Sequence, residues 1–174
     1  MEIEEKVSKE HTRKDLRLRA SALRKIKAAK DKNRRLKIIR ALFSSTDSWS
    51  SEVLLESLLD TNEEIRNLII QELGKRVDLN VEWVCQRLNH PHWYVKSSAL
   101  KILALQKSEK ALIHIEAMIT DPNVEVRRGI AECLGDIGGK KSLSLLMKLE
   151  KDKNRFVQTS AEAAIRKISN LRFT

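Results

Sequence analysis

The stretch Asp121-Pro122-Asn123-Val124-Glu125-Val126-Arg127-Arg128-Gly129-Ile130-Ala131-Glu132-Cys133-Leu134-Gly135 decides the fold. Val126, Ile130 and Leu134 stand four residues apart, which places them on one face of an α-helix. Asp121 reads as the N-cap of that helix and Pro122 as a residue of its first turn. The same order recurs three more times. Asp60 leads to Ile65-Arg66, Ile69 and Leu73-Gly74; His90-Pro91 leads to Val95-Lys96, Ala99 and Leu103; Asp152 leads to Val157-Gln158, Ala161 and Ile165. The copies start at 60, 90, 121 and 152, a spacing of 30 or 31 residues, and the chain's two prolines fall in the same slot.

A second apolar-periodic segment follows three of these starts, over Val81–Leu88, Ala111–Met118 and Ser142–Leu149. Gly74 and Gly138-Gly139 read as breaks between paired helices. Each unit is thus a helix–turn–helix of about 31 residues, too small to bury its own apolar stripe, so units must stack.

Composition agrees. Of 174 residues, 41% are apolar and 33% charged, the balance of a folded chain rather than a disordered one. Five glycines and two prolines supply too little turn chemistry for a hairpin-rich sheet protein. No apolar run approaches the ~18 residues that cross a bilayer. Met1-Glu2-Ile3-Glu4-Glu5 is acidic with no apolar stretch behind it, unlike a secretory signal. Cys85 and Cys133 each lie in an apolar-periodic segment and read as reduced core thiols, so the expected location is cytoplasmic.

The repeat resembles the HEAT-type α-solenoid, specifically the short HEAT-like repeat named after phycobilin lyases, whose pattern is Asp-Pro-x-x-x-Val-Arg-x-x-Ala-x-x-x-Leu-Gly. The copy at Asp121 matches almost throughout, the others in part, and the resemblance covers about residues 48–170. It implies an all-α, right-handed solenoid of helical hairpins, here about nine helices, with second helices lining a concave side. Glu82, Gln86, Arg87, Lys110, His114, Lys141, Ser144 and Lys148 then belong to the concave surface. It also implies a ladder between repeats, with Asp60, Asp121 and Asp152 as acceptors and Arg66, Lys96 and Arg127 as donors. His90 and Gln158 depart from the pattern, so the ladder should weaken at them.

Charge divides the chain. Residues 1–46 carry 15 Lys and Arg against 6 Asp and Glu; residues 47–139 carry 10 against 15; residues 140–174 carry 9 against 3. Basic ends flank an acidic middle that would repel a polyanion. The domain reading follows: one α-solenoid domain over 1–174, with basic capping helices over 1–46 and repeats over 47–174, the last truncated. Residues 12–30 form an amphipathic helix. Thr12 to Asp15 has capping-box spacing, and Leu16, Ala22, Leu23 and Ile26 share one side. Arg13, Lys14, Arg17, Arg24 and Lys25 share the other, either as a polar end cap or as a surface for phosphate or an acidic partner. A further helix follows over about Asn33–Phe43, and Asp31-Lys32-Asn33-Arg34 echoes Asp152-Lys153-Asn154-Arg155 without keeping the later register.

No catalytic set can be argued from spacing. The cysteines are isolated, His90-Pro91-His92 has no third ligand nearby, and Gly135–Gly139 lacks the strand that a phosphate loop needs. His114 reads as a groove residue rather than a base. Trp93-Tyr94-Val95-Lys96 resembles a segment of HEAT-like DNA alkylation glycosylases, but no Asp with a matching context appears. Packing between repeats accounts for Trp83 and Trp93, base stacking being the alternative. The expected function is non-catalytic: a protein-interaction module or small scaffold, without cofactor, metal, membrane span or evident small-molecule substrate. Nucleic-acid binding through the basic helix is the alternative, and a phycobilin-lyase-like or glycosylase-like role ranks behind both.

Overall fold

The computed structural model describes the backbone of residues 2–45 and 47–170 and side chains from Thr12 onward. These residues form ten α-helices and no strand: α1 (Glu2–Ala28), α2 (Lys32–Ala41), α3 (Ser48–Glu56), α4 (Glu63–Lys75), α5 (Val81–Gln86), α6 (Trp93–Leu105), α7 (Leu112–Ala117), α8 (Val124–Ile137), α9 (Gly139–Leu149) and α10 (Arg155–Asn170). Single 3₁₀ turns extend α3 and α5 and precede α7. The helices succeed one another in the all-α solenoid arrangement, with α8 and α9 packed as a hairpin. There are ten among the described residues rather than about nine.

The helices group into two compact units, Met1–Glu72 and Leu73–Thr174. In the first, α1 lies against α2 and α3. Ala22, Ala29, Leu36, Ile39, Leu42, Val53, Leu54 and Leu58 are buried there. In the second, α8 packs between α6 and α10, and α9 covers α8 and α10. The four-residue stripes Val95–Ala99–Leu103 and Val126–Ile130–Leu134 are fully buried, as are Val157 and Ala161. In α10 the stripe then turns: Ala164 and Ile168 are buried while Ile165 is only half-buried.

Helix starts differ from the expectation. Asp60, Asp121 and Asp152 do not cap their helices. Each accepts the backbone N–H two residues on, at 2.9, 2.9 and 2.8 Å, in a turn that precedes the helix. The residue receiving that bond is the one whose side chain then accepts from the first helical turn: Asn62 from Ile65, Asn123 from Glu125 and Val126, Asn154 from Phe156. Pro122 therefore sits in the turn, before the cap, where its missing N–H costs nothing.

α1 also begins earlier than expected, at Glu2, so Thr12 to Asp15 lies mid-helix and is no capping box. Residues 2–11 contain no Gly or Pro to stop a helix. Leu16 is 57% exposed rather than packed. Arg19 lies on the packed side instead, bonded to Glu52 at 2.9 Å and to Glu56 on α3. Gly74 lies inside α4, not in a break: a Cβ there would meet the Leu105 Cβ at 2.8 Å. Gly138 and Gly139 do form a break, with φ of 75° and 81°.

Candidate functional site

The ladder contacts link the turns that precede the helices. Arg127 is buried and makes two kinds of contact. Its Nε and Nη2 donate to the two Asp152 carboxylate oxygens at 2.7 and 3.0 Å, and its Nη1 donates to the Asp121 carbonyl at 2.7 Å and the Pro122 carbonyl at 3.3 Å. Lys96 donates to the Asp121 carboxylate at 2.6 Å. Arg66 donates to the Asp60 and Thr61 carbonyls at 2.8 and 2.9 Å. Gln158 reaches its own Asp152 carbonyl at 2.5 Å. His90 fills the acceptor slot of its copy with a ring nitrogen: Nδ1 accepts from the His92 N–H at 3.1 Å. Burial, together with His92 and Arg87, lowers the His90 pKa from its ordinary value.

Sequence reading missed one member. Arg35 donates to Asp60 at 2.6 and 3.2 Å, and to the Ala29 and Lys30 carbonyls at 3.3 and 2.9 Å. This is the contact set of Arg127 transposed, and Arg35 precedes Arg66 by 31 residues. Asp31 is accordingly the cap of α2, accepting from the Arg34 N–H at 2.8 Å, and the copy starts at Ala29.

The residues assigned to a concave surface lie on the second helices of residues 81–149. Glu82, Gln86, Lys110, Lys141, Ser144 and Lys148 are exposed; Arg87 and His114 are half-buried. Two polar links join neighbouring helices. Glu82 meets His114 Nε2 at 3.4 Å, and Glu116 bridges Lys141 at 3.3 Å and Lys148 at 3.4 Å. Hydrogen bonds from Lys141 and Lys148 hold the Glu116 carboxyl below its ordinary range. Two large apolar side chains stand outward here, Ile113 at 67% and Met147 at 59% exposure. Each lies opposite the buried edge of its helix, formed by Leu112 and Ile115 in α7 and by Leu145, Leu146 and Leu149 in α9. Neither Glu116, Ile113 nor Met147 was singled out by sequence; their period of 31 matches Ser144 to Ile113 and Met147 to Glu116.

On α1, Arg13, Lys14, Arg17, Arg24 and Lys25 are all exposed. Trp93 is 47% exposed and meets Tyr94 edge-on, while Trp83 is half-buried. Cys85 and Cys133 are free and buried. Burial pushes the Cys85 thiol up to about 11, with Glu82 adding to it, and burial pushes Cys133 up as well. Among the described residues no group of His, Cys, Asp and Glu could hold a metal ion, and no helix is long and apolar enough to cross a membrane.

Comparison with known proteins agrees with this geometry. The family model for HEAT repeats matches residues 81–166. The complex of CpcE and CpcF of phycocyanin lyase from Nostoc sp. PCC7120 is similar in structure, with a TM-score of 0.59 at 20% identity over 86% of this chain. That match spans 64% of the other chain's length, under two thirds. A designed armadillo repeat protein in complex with the peptide (KR)4 aligns with a TM-score of 0.46 at 15% identity, covering 86% of this chain and 86% of that one. No curated protein matches the sequence. Residues 81–166 match HEAT repeats, and the fold of the chain is that of an all-α solenoid.

Proposed function

We propose that this chain is a non-catalytic protein-interaction module, and that the second-helix face of residues 81–149 receives the partner. The observation that carries this reading is the outward placement of Ile113 and Met147 among Glu82, His114, Glu116, Lys141 and Lys148. Large aliphatic groups held in water on rigid helices, rimmed by charges of both signs, are the composition of an interface core and its rim. Glu82 and Glu116 intersperse negative charge among Lys110, Lys141 and Lys148 on this face, which suits a protein better than a polyanion. The cysteines, both protonated and buried, supply no nucleophile. The test is capture from nuclease-treated extract by the full chain and by its Ile113→Asp, Met147→Asp double variant. Both positions are exposed, so the variant keeps its helical circular dichroism. The reading requires a partner that survives nuclease and is lost from the variant; an unchanged set of captured proteins contradicts it.

A second reading, nucleic-acid contact through α1, is favoured by the shared exposure of Arg13, Lys14, Arg17, Arg24 and Lys25. Five cations on one helix would give weak, sequence-independent and steeply salt-dependent binding. Charge reversal at Arg17→Glu with Arg24→Glu abolishes such binding if this reading holds. Wild-type binding that persists in the variant, or its absence at about 50 mM salt, where phosphate contacts are strongest, rejects it.

A further inference from the structure

A separate feature of the first unit points to a second ligand surface. A cavity of about 770 Å³ opens between the C-terminal half of α1 and the turn that follows α3. That size falls within the roughly 300–1,000 Å³ of sites that hold a ligand or side-chain anchors. Its apolar lining is Ala20, Leu23, Ile26, Ala29 and Leu59, the last 47% exposed. Leu16 lies one helical turn before Ala20 on α1 and is exposed too, so the apolar stripe runs out of the cavity along the helix.

The charges around the cavity are not balanced. Arg35 is taken by Asp60, and Glu56 by Arg19, which neutralises both carboxylates of the lining. Arg24, Lys27 and Lys30 also line it, and none of the three has an ion pair among the described residues. The result is an apolar floor beside three free cations.

We infer that this groove takes an acidic amphipathic segment of a partner protein, with two aliphatic side chains one helical turn apart seated on Leu23, Ile26 and Leu59 and carboxylates facing Arg24, Lys27 and Lys30. Charge complementarity selects the acid, and the floor selects the aliphatic anchors. A nucleic acid fits only half of this. It would meet the cations, but its phosphates gain nothing from Leu23, Ile26 and Leu59.

The test uses the full chain and a labelled synthetic helix with Leu pairs one turn apart and Glu at the flanking positions. The controls are the same peptide with Leu replaced by Ser, and single-stranded DNA of equal charge. Saturable binding is expected, weakened about tenfold or more by Leu→Ser in the peptide, by Leu59→Asp and by Lys27→Glu with Lys30→Glu in the protein. Single-stranded DNA does not compete. Ile113→Asp with Met147→Asp leaves this binding unchanged, which separates the groove from the second-helix face. The inference is overturned by absence of saturable binding, by equal binding of the Ser peptide, by displacement with DNA, or by indifference to Leu59→Asp.

Discussion

Arg127 in α8 holds both carboxylate oxygens of Asp152, 25 residues further on, while its third nitrogen binds the carbonyl of Asp121, six residues back. One buried guanidinium thus ties the turn before its own helix to the turn before α10. An Arg suits this because its planar fork serves a carboxylate and a carbonyl at once, which a Lys ammonium does less well. Arg127→Ala leaves the Asp152 carboxylate, itself shielded from water, without its partner. The expected loss is about 3 kcal/mol in urea unfolding. The double variant Arg127→Met with Asp152→Leu should lose less than the single one, since no orphaned charge remains. A double variant that costs the sum of the two singles would show that the two residues act independently.

The same pair gives an acid limb to the stability curve. Hydrogen bonding from Arg127 lowers the Asp152 pKa below its ordinary value. A carboxylate with a lowered folded pKa stabilises the fold fully above its unfolded pKa, about 3.9, and loses that contribution as pH falls through the folded value. Stability measured from neutral pH downward should therefore fall more steeply below about pH 4 in wild type than in Arg127→Gln. Parallel curves would remove Asp152 from the acid transition.

Two glycines should respond for different reasons. At Gly135 an added Cβ would meet the Ala164 Cβ at 2.8 Å and its Cα at 3.2 Å. Gly135→Ala forces α8 and α10 apart and should cost about 1–3 kcal/mol, visible as a lower thermal midpoint. Gly138 has open space but a φ of 75° with ψ of −165°, a region essentially reserved for glycine, so Gly138→Ala should cost about 1–3 kcal/mol through backbone strain alone. A neutral Gly135→Ala would mean that the two helices can slide at no cost.

Both thiols should label slowly in the native protein. Cys85 is pushed up to about 11 and Cys133 is pushed up too, in each case chiefly by burial, so at neutral pH neither offers much thiolate. Native alkylation should become rapid only on adding denaturant. Fast labelling of Cys85 without denaturant would restore a nucleophile to consideration.

The repeat was legible because its apolar stripe and its polar slots share one period. Where they separate, the reading failed. In the copy starting at Ala29 the Arg35 slot keeps the period, but the fifth position holds Arg34, and the buried side chains are Leu36, Ile39 and Leu42. The hydrophobic register is rotated, so self-comparison anchored on Asp31, two positions late. The helix starts were displaced for a related reason: Asp is a good cap in isolation, but here Asn123 and Asn154 take that role and the Asp turns toward a neighbouring cation. Ile113, Met147 and Glu116 left no mark in the sequence, because an outward position is defined only once the inward face of a six-residue helix such as α7 is known.

The most direct test of the interaction reading places a photoreactive side chain at Met147 in the full chain, with the same group at Val77 as control. Both positions are exposed, and Val77 lies in the loop after α4, outside α5, α7 and α9. Illumination in nuclease-treated extract should give a discrete protein adduct from position 147 and none from position 77. Adducts at both sites, or an adduct at 147 that appears only when nucleic acid is present, would contradict a protein-binding second-helix face.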